Sequence, residues 1–162
     1  MDTIEQIPER FYSAFQRLNY QAMQDCYSDD IVFSDPVFGL LKGDEVKAMW
    51  EMLCKNAKDF SLTFSEIKAE DYEYVTCRWI ANYTFSKTGR NVTNDIKAFM
   101  RVREGKIIEH SDAFRLSTWI GQALGWKGVL FGWTNFMKNA VQKQARKSLE
   151  KFMQTEKISN KQ

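Results

Sequence analysis

Three alternating stretches in the second half of the chain constrain the fold more than any other feature. Apolar side chains recur at every second position over Tyr74–Phe85, and strand patterns continue over Val92–Val102 and Ile107–Phe114. Only short polar turns containing Gly89 and Gly105 separate these stretches. Because such short turns join only neighbouring antiparallel strands, the sequence predicts an antiparallel meander.

Helical spacing surrounds this meander on both sides. Apolar residues recur every three or four positions over Ile4–Leu18, and shorter helices are predicted near residues 22–27 and 44–53, with Asp44 as the N-cap of the latter. A short strand, Ile31–Phe33, lies between them, with Ser28, Asp29 and Asp30 interpreted as a turn. Phe60, Leu62 and Phe64 predict one more strand. Together these elements predict an α+β fold in which a bent antiparallel sheet packs against the N-terminal helices and encloses a cone-shaped hollow.

The chain of 162 residues is long enough to form one domain with its own core, and 44% of its residues are hydrophobic. We expect this domain to span residues 1–120. A C-terminal helical extension is predicted over residues 121–155, with a helix over about 134–152, and residues 156–162 are expected to form a frayed tail.

Charge and cysteine content narrow the class of protein. Net charge is only +2, but the segment from Trp126 onward is basic and the rest is mildly acidic. The three cysteines, Cys26, Cys54 and Cys77, are isolated in apolar surroundings, which is typical of free thiols in a reducing compartment. No secretory signal or membrane-spanning run is apparent. These features favour a cytoplasmic protein that binds no nucleic acid.

Two acidic residues and one histidine are the candidate catalytic groups. Asp35 lies between apolar residues and Pro36, where a carboxylate is costly unless it is paired, protonated or used. His110, the single histidine, and Asp112 are two residues apart in a strand pattern and therefore share a face. If both segments line one cavity, they form an acid/base site for a small molecule. Neither paired cysteines nor a familiar ligand spacing indicates a metal, and no glycine-rich phosphate loop indicates a nucleotide.

Several motifs resemble those of a known superfamily. The stretch from Phe11-Tyr12 through Tyr27-Ser28-Asp29-Asp30-Ile31-Val32-Phe33-Ser34-Asp35-Pro36 to Leu41-Lys42-Gly43 resembles the ketosteroid isomerase and polyketide-cyclase-like superfamily. This superfamily is also called nuclear transport factor 2-like or SnoaL-like. The run from Arg101 to Phe114, followed by Trp119, is similar to uncharacterised members. The resemblance covers about residues 1–120 and implies the fold more strongly than an activity, since this fold carries several chemistries.

The resemblance also assigns roles to individual residues. Asp35 falls where the ketosteroid isomerases have their general base. That family is a standard example of how a protein tunes the pKa values of acid/base groups. The position of one oxyanion donor holds Phe11, with Tyr12 beside it, and the position of the other holds Lys97. The changed donors argue against steroid isomerisation by that mechanism. We expect Phe11, Tyr12, Trp50 and Lys97 to contact the ligand.

The sequence leaves three functions open. The favoured hypothesis is a pocket for a small apolar organic molecule, with cofactor-free acid/base catalysis of the isomerase, cyclase, dehydratase or hydrolase type. A second is a non-catalytic ligand-binding or dimerisation module. A third is a membrane-surface accessory, because Phe131, Trp133 and Phe136 lie near several lysines and arginines. We favour a C-terminal helix packed on the domain over membrane contact. We also expect a homodimer formed through the sheet, with Trp79, Tyr83, Met100 and Val102 as its apolar surface.

Overall fold

The computed structural model of the protein describes residues 3–162 and shows an α+β fold with one six-stranded sheet. The helices in this range are α1 (Gln6–Gln16), α2 (Tyr20–Asp25), α3 (Asp44–Lys55), α4 (Leu116–Leu124), α5 (Trp126–Phe131) and α6 (Asn135–Ser159). The strands are β1 (Tyr27–Asp35), β2 (Gly39–Lys42), β3 (Ser61–Ala69), β4 (Tyr74–Phe85), β5 (Arg90–Arg103) and β6 (Lys106–Ala113). Their order across the sheet is β2-β1-β6-β5-β4-β3.

The predicted meander forms the centre of this sheet. Strands β4, β5 and β6 pair antiparallel in sequence order, and β3 pairs antiparallel with β4. Strand β1 joins the other side of β6 in parallel, with Phe33 beside His110 and Ser34 beside Ser111. The N-terminal strand and the last strand of the meander therefore lie next to each other, which brings the two candidate segments together.

One face of the sheet is buried against the helices and the other is polar. Inward side chains of β4 and β5 alternate with outward ones, and the inward set, which includes Trp79, Met100 and Val102, is buried. Tyr83 also faces inward and is half-buried. These four residues therefore cannot form the exposed dimer surface that the sequence suggested. The outer face carries charged pairs such as Arg78 and Asp95, whose Nη2 and Oδ2 atoms are 2.5 Å apart. Homodimerisation stays a prediction from the resemblance alone.

Several element boundaries differ from the sequence prediction. Residues 28–30, interpreted as a turn, belong to β1, and the short strand β2 and helix α5 were not predicted. Gly43, with φ 54°, occupies the N-cap of α3 in place of Asp44, because this left-handed conformation favours glycine. Helix α6 continues to Ser159, so much of the predicted tail is helical.

The C-terminal helix α6 packs across the open side of the domain. Leu149 is buried in the main core, and Phe152 packs against that core. Arg146 Nη1 donates hydrogen bonds to the carbonyl oxygens of Phe38 and Leu40 at 2.8 and 3.0 Å. Gln142 Nε2 donates to the carbonyl oxygen of Pro36 at 2.9 Å. These bonds fix α6 against the turn that follows Asp35. Among residues 3–162, no helix has the length and hydropathy needed to cross a membrane.

Helix α5 is held against α4 by close backbone approach. A Cβ atom placed on Gly128 would lie 2.3 Å from the carbonyl oxygen of Ile120. A Cβ atom on Gly121, in contrast, would meet Val129 Cγ2 at 3.5 Å, which is ordinary van der Waals contact. The α4–α5 contact therefore depends on glycine at position 128.

We expect Gly128→Ala to destabilise the protein by about 1–3 kcal/mol, because a rigid backbone atom occupies the space of the new methyl group. Gly121→Ala is the matched control and should be neutral or slightly stabilising, since alanine favours helix and fits the space. Urea unfolding of both variants measures the difference. Equal stability of the two variants would show that α5 is not packed in this way.

Candidate acid/base site in an apolar cavity

A cavity of about 530 Å³ lies between the concave face of the sheet and helices α3, α4 and α6. Most of its lining is apolar. The large rings among the lining residues belong to Phe15, Phe33, Phe38, Trp50, Phe60, Trp79, Tyr83, Phe85, Phe114 and Trp119. Two carboxyl groups, those of Asp35 and Asp112, also line the cavity. Its size and composition are those of sites for small organic molecules, in which a few polar groups interrupt an apolar wall.

The two carboxyl groups come from neighbouring strands. The parallel register of β1 and β6 pairs Ser34 with Ser111, and Asp35 and Asp112 are the next residues on their strands. Their side chains therefore project from the same face of the sheet. Asp35 terminates β1, where its Oδ1 accepts hydrogen bonds from the backbone N–H groups of Val37 and Phe38 at 3.0 and 2.6 Å.

Burial raises the pKa of Asp35 to about 7. The bond from the Phe38 N–H opposes this rise, the negative charge of Asp112 adds to it, and the bond from the Val37 N–H lowers the pKa. Two neighbouring carboxylates in a largely apolar cavity resist ionising together. Asp35 can therefore both lose and accept a proton near neutral pH.

Asp112 is held by two buried donors. His110 Nε2 lies 3.0 Å from Asp112 Oδ1, and Trp79 Nε1 donates to the same oxygen at 3.3 Å. The side chain of His110 is fully buried beneath the cavity, stacked on Trp50 and in edge contact with Phe33. His110 therefore orients Asp112 and is not itself among the lining residues.

The contacts of His110 with Asp112 and Tyr27 are together compatible with one arrangement of hydrogen on its ring. Trp50 Nε1 donates to Tyr27 Oη at 2.8 Å, so the hydroxyl hydrogen of Tyr27 is free to donate elsewhere. His110 Nδ1 lies 2.7 Å from that hydroxyl and can accept it. Nε2 then carries the hydrogen and donates to Asp112. In this arrangement three hydrogen bonds link Trp50, Tyr27, His110 and Asp112, and each residue donates to the next.

A second tyrosine contributes a donor to the cavity. Trp119 Nε1 donates to Tyr83 Oη at 2.6 Å, which leaves the Tyr83 hydroxyl hydrogen available. Burial raises the pKa of Tyr83, the bond from Trp119 lowers it, and the negative charge of Asp35 raises it. Tyr83 is therefore a neutral hydrogen-bond donor near Asp35.

The other residues expected to contact a ligand have different positions. Trp50 lines the cavity. Phe11 and Tyr12 are fully buried beneath His110, where Tyr12 Oη lies 3.4 Å from His110 Nε2. Lys97 is exposed on the outer face of the sheet, so it cannot contact a molecule in the cavity. Its neighbour Ala98 takes the inward position opposite Asp112.

Sequence reasoning missed three residues of this site. Tyr27 was placed at the end of the short helix predicted near residues 22–27, and Trp79 and Tyr83 were assigned to a dimer surface. All three bond to a residue of the site or line the cavity. The alternation of β4 already placed Trp79 and Tyr83 on one face, so the missing information was which face the helices cover. Within residues 3–162, no group of three or more His, Cys, Asp or Glu side chains is arranged to hold a metal ion.

A cone-shaped α+β fold with an apolar cavity and inward carboxyl groups defines a class of small-molecule pocket proteins. Residues 9–110 match the SnoaL-like domain family, and the chain belongs to this family. No curated protein matches the chain.

Solved structures share this fold at low sequence identity. A nuclear transport factor 2-like protein of unknown function from Burkholderia pseudomallei is 20% identical, with a TM-score of 0.66 over 76% of this chain and 98% of that chain. A hypothetical protein with a ketosteroid isomerase-like fold from Catenulispora acidiphila, in complex with trimethylamine, is 17% identical, with a TM-score of 0.64 over 75% and 94%. TerC, co-crystallised with polyporic acid, is 15% identical, with a TM-score of 0.63 over 74% and 97%.

Proposed function

We propose that the protein binds a small, largely apolar organic molecule in this cavity and transfers a proton on it without a cofactor. The observation that carries this proposal is the pair of carboxyl groups, Asp35 and Asp112, on neighbouring strands of a largely apolar cavity. An apolar wall selects the ligand class, because burying apolar surface is the main favourable term in such a site. The trimethylamine and polyporic acid complexes of two proteins with this fold are compatible with a ligand site in the hollow.

Asp35 is the proposed general base. It would take a proton from a carbon next to a carbonyl group, and the electron pair of that C–H bond would move to the carbonyl oxygen. The Tyr83 hydroxyl would donate a hydrogen bond to the resulting enolate oxygen. The Asp35 carboxylic acid would then return the proton to carbon. Asp112 is oriented by His110, and its negative charge raises the pKa of Asp35 and so favours the form of Asp35 that holds the proton.

We expect the protein to accelerate hydrogen exchange next to the carbonyl of suitable cyclic ketones, and Asp35→Asn to slow this exchange by about 10²–10⁴-fold. The amide can still accept the bonds from Val37 and Phe38, so the fold should be retained. Mass spectrometry of a ketone panel in D₂O measures deuterium uptake. Asp30→Asn, an exposed carboxylate on the same strand, is the matched control and should leave the rate unchanged.

Two outcomes would reject the catalytic proposal. Exchange that persists in Asp35→Asn would exclude Asp35 as the base. Ketone binding without exchange in the wild-type protein, retained in Asp35→Asn, would identify the cavity as a non-catalytic binding site, the second function that the sequence left open.

A further inference from the structure

Helix α5 has its apolar side chains on the outside. The side of α5 that packs against α4 carries Gly128, which is buried there. Gly132, directly after the helix, is buried against α4 as well. Six large apolar side chains around α5 are 51–84% exposed. This apolar ridge consists of Trp126, Val129, Leu130, Phe131, Trp133 and Phe136. Six such side chains lie within eleven residues, and a concentration of exposed apolar groups of this kind marks an interaction surface on a folded protein.

The charged residues that flank the ridge along the chain have a single sign. No aspartate or glutamate occurs between Asp112 and Glu150. The same stretch contains six cationic residues, which are Arg115, Lys127, Lys138, Lys143, Arg146 and Lys147. The Lys127 amino group lies 5.6 Å from the centre of the Trp126 ring, so cation and ridge are in contact. The ridge is therefore apolar, with Lys127 in contact with it, and the charged residues nearest to it in the sequence are all positive.

This combination fits an anionic lipid bilayer. Tryptophan side chains are favoured at the level of lipid headgroups, apolar side chains insert below them, and lysines attract anionic headgroups. A second copy of the chain fits less well, because a symmetric contact through this surface would bring the same cations face to face.

We propose that the apolar ridge docks the protein onto the surface of a bilayer that contains anionic lipids. Helix α6 stays packed on the domain through Leu149 in this arrangement, so docking requires no unfolding. Met137 and Val141, which follow the ridge in α6, line the cavity. The docked ridge would thus lie beside the cavity, although docking does not depend on the chemistry proposed there. This revises the sequence-based preference for a C-terminal helix packed on the domain over membrane contact.

Co-sedimentation of the full-length protein with vesicles tests the proposal. We expect binding to vesicles of phosphatidylcholine mixed with phosphatidylglycerol, weaker binding to phosphatidylcholine alone, and loss of binding as salt is raised. The double substitution Trp133→Ser and Phe136→Ser should weaken partitioning at least about tenfold, because both side chains are exposed and belong to the inserted set. The melting temperature should stay unchanged.

Tyr72→Ser is the matched control, since Tyr72 is 88% exposed but lies far from the ridge in sequence, between β3 and β4. It should bind vesicles like the unmodified protein. Equal vesicle binding by the double variant and the parent would overturn the proposal, as would no binding to either lipid mixture. Sedimentation of a dimer that the double substitution converts to a monomer, with no vesicle binding, would instead assign the ridge to self-association.

Discussion

Tyr27→Phe should destabilise the protein by about 2–5 kcal/mol. The substitution removes one oxygen atom that accepts from Trp50 Nε1 and bonds to His110 Nδ1. Each buried polar group left without a partner costs about 1–3 kcal/mol. Tyr27, Trp50 and His110 are all buried, so bulk solvent does not reach the two nitrogens to replace the lost bonds.

Urea unfolding measures this change in the free energy of unfolding. Tyr72→Phe removes the same hydroxyl from an exposed ring and should change stability by less than about 0.5 kcal/mol. The Tyr27 variant should also alter the site, since His110 loses its partner at Nδ1 and is the residue that orients Asp112. A change as small as that of the control would show that Tyr27 does not link Trp50 to His110.

Periodicity and turns predicted most of the fold. Residues of the meander alternate over long stretches, and short turns leave only one way to pair them, so β4, β5 and β6 follow from the sequence. Helix α5 was not predicted, because Gly128 and Gly132 are weak helix formers and its packing depends on contact with α4. Strand β2 has only four residues and pairs with β1. Such short elements are determined by tertiary contacts and not by local preference.

Strand alternation also predicted part of the candidate site. His110 and Asp112 share a face in any regular strand, and the parallel pairing of β1 with β6 then brings Asp35 beside Asp112. Lys97 was assigned from spacing along the chain, but spacing does not determine which face of β5 is covered. Both faces of β5 carry apolar residues, with Phe99 on the outer face and Met100 on the inner one. Only the packed helices distinguish the two faces.

The ionisation of Asp35 should make the protein less stable as pH rises. Its pKa in the folded protein, about 7, is above the unfolded value of 3.8. Between these two values the folded state binds more protons than the unfolded state, so the free energy of unfolding decreases with pH. The stability that the protonated form of Asp35 contributes is fully present below about pH 4 and is lost by about pH 7. A shift of this size corresponds to about 4 kcal/mol at most, and water that enters the cavity reduces it.

Asp35→Asn removes this titration and keeps an oxygen that can accept from Val37 and Phe38. We therefore expect the variant to match the wild-type protein near pH 4 and to exceed its stability by about 1–4 kcal/mol at pH 8. Thermal melts of both proteins across this range measure the difference, and the contributions of groups that do not interact with Asp35 cancel. Asp112→Asn should shrink the difference, because it removes the charge that adds to the pKa shift of Asp35. A difference that does not vary with pH would mean that Asp35 ionises as freely as in the unfolded chain. The Asp35 carboxyl group lowers the free energy of unfolding at neutral pH. The proton transfer proposed for Asp35 would explain why this position holds an aspartate despite that loss of stability.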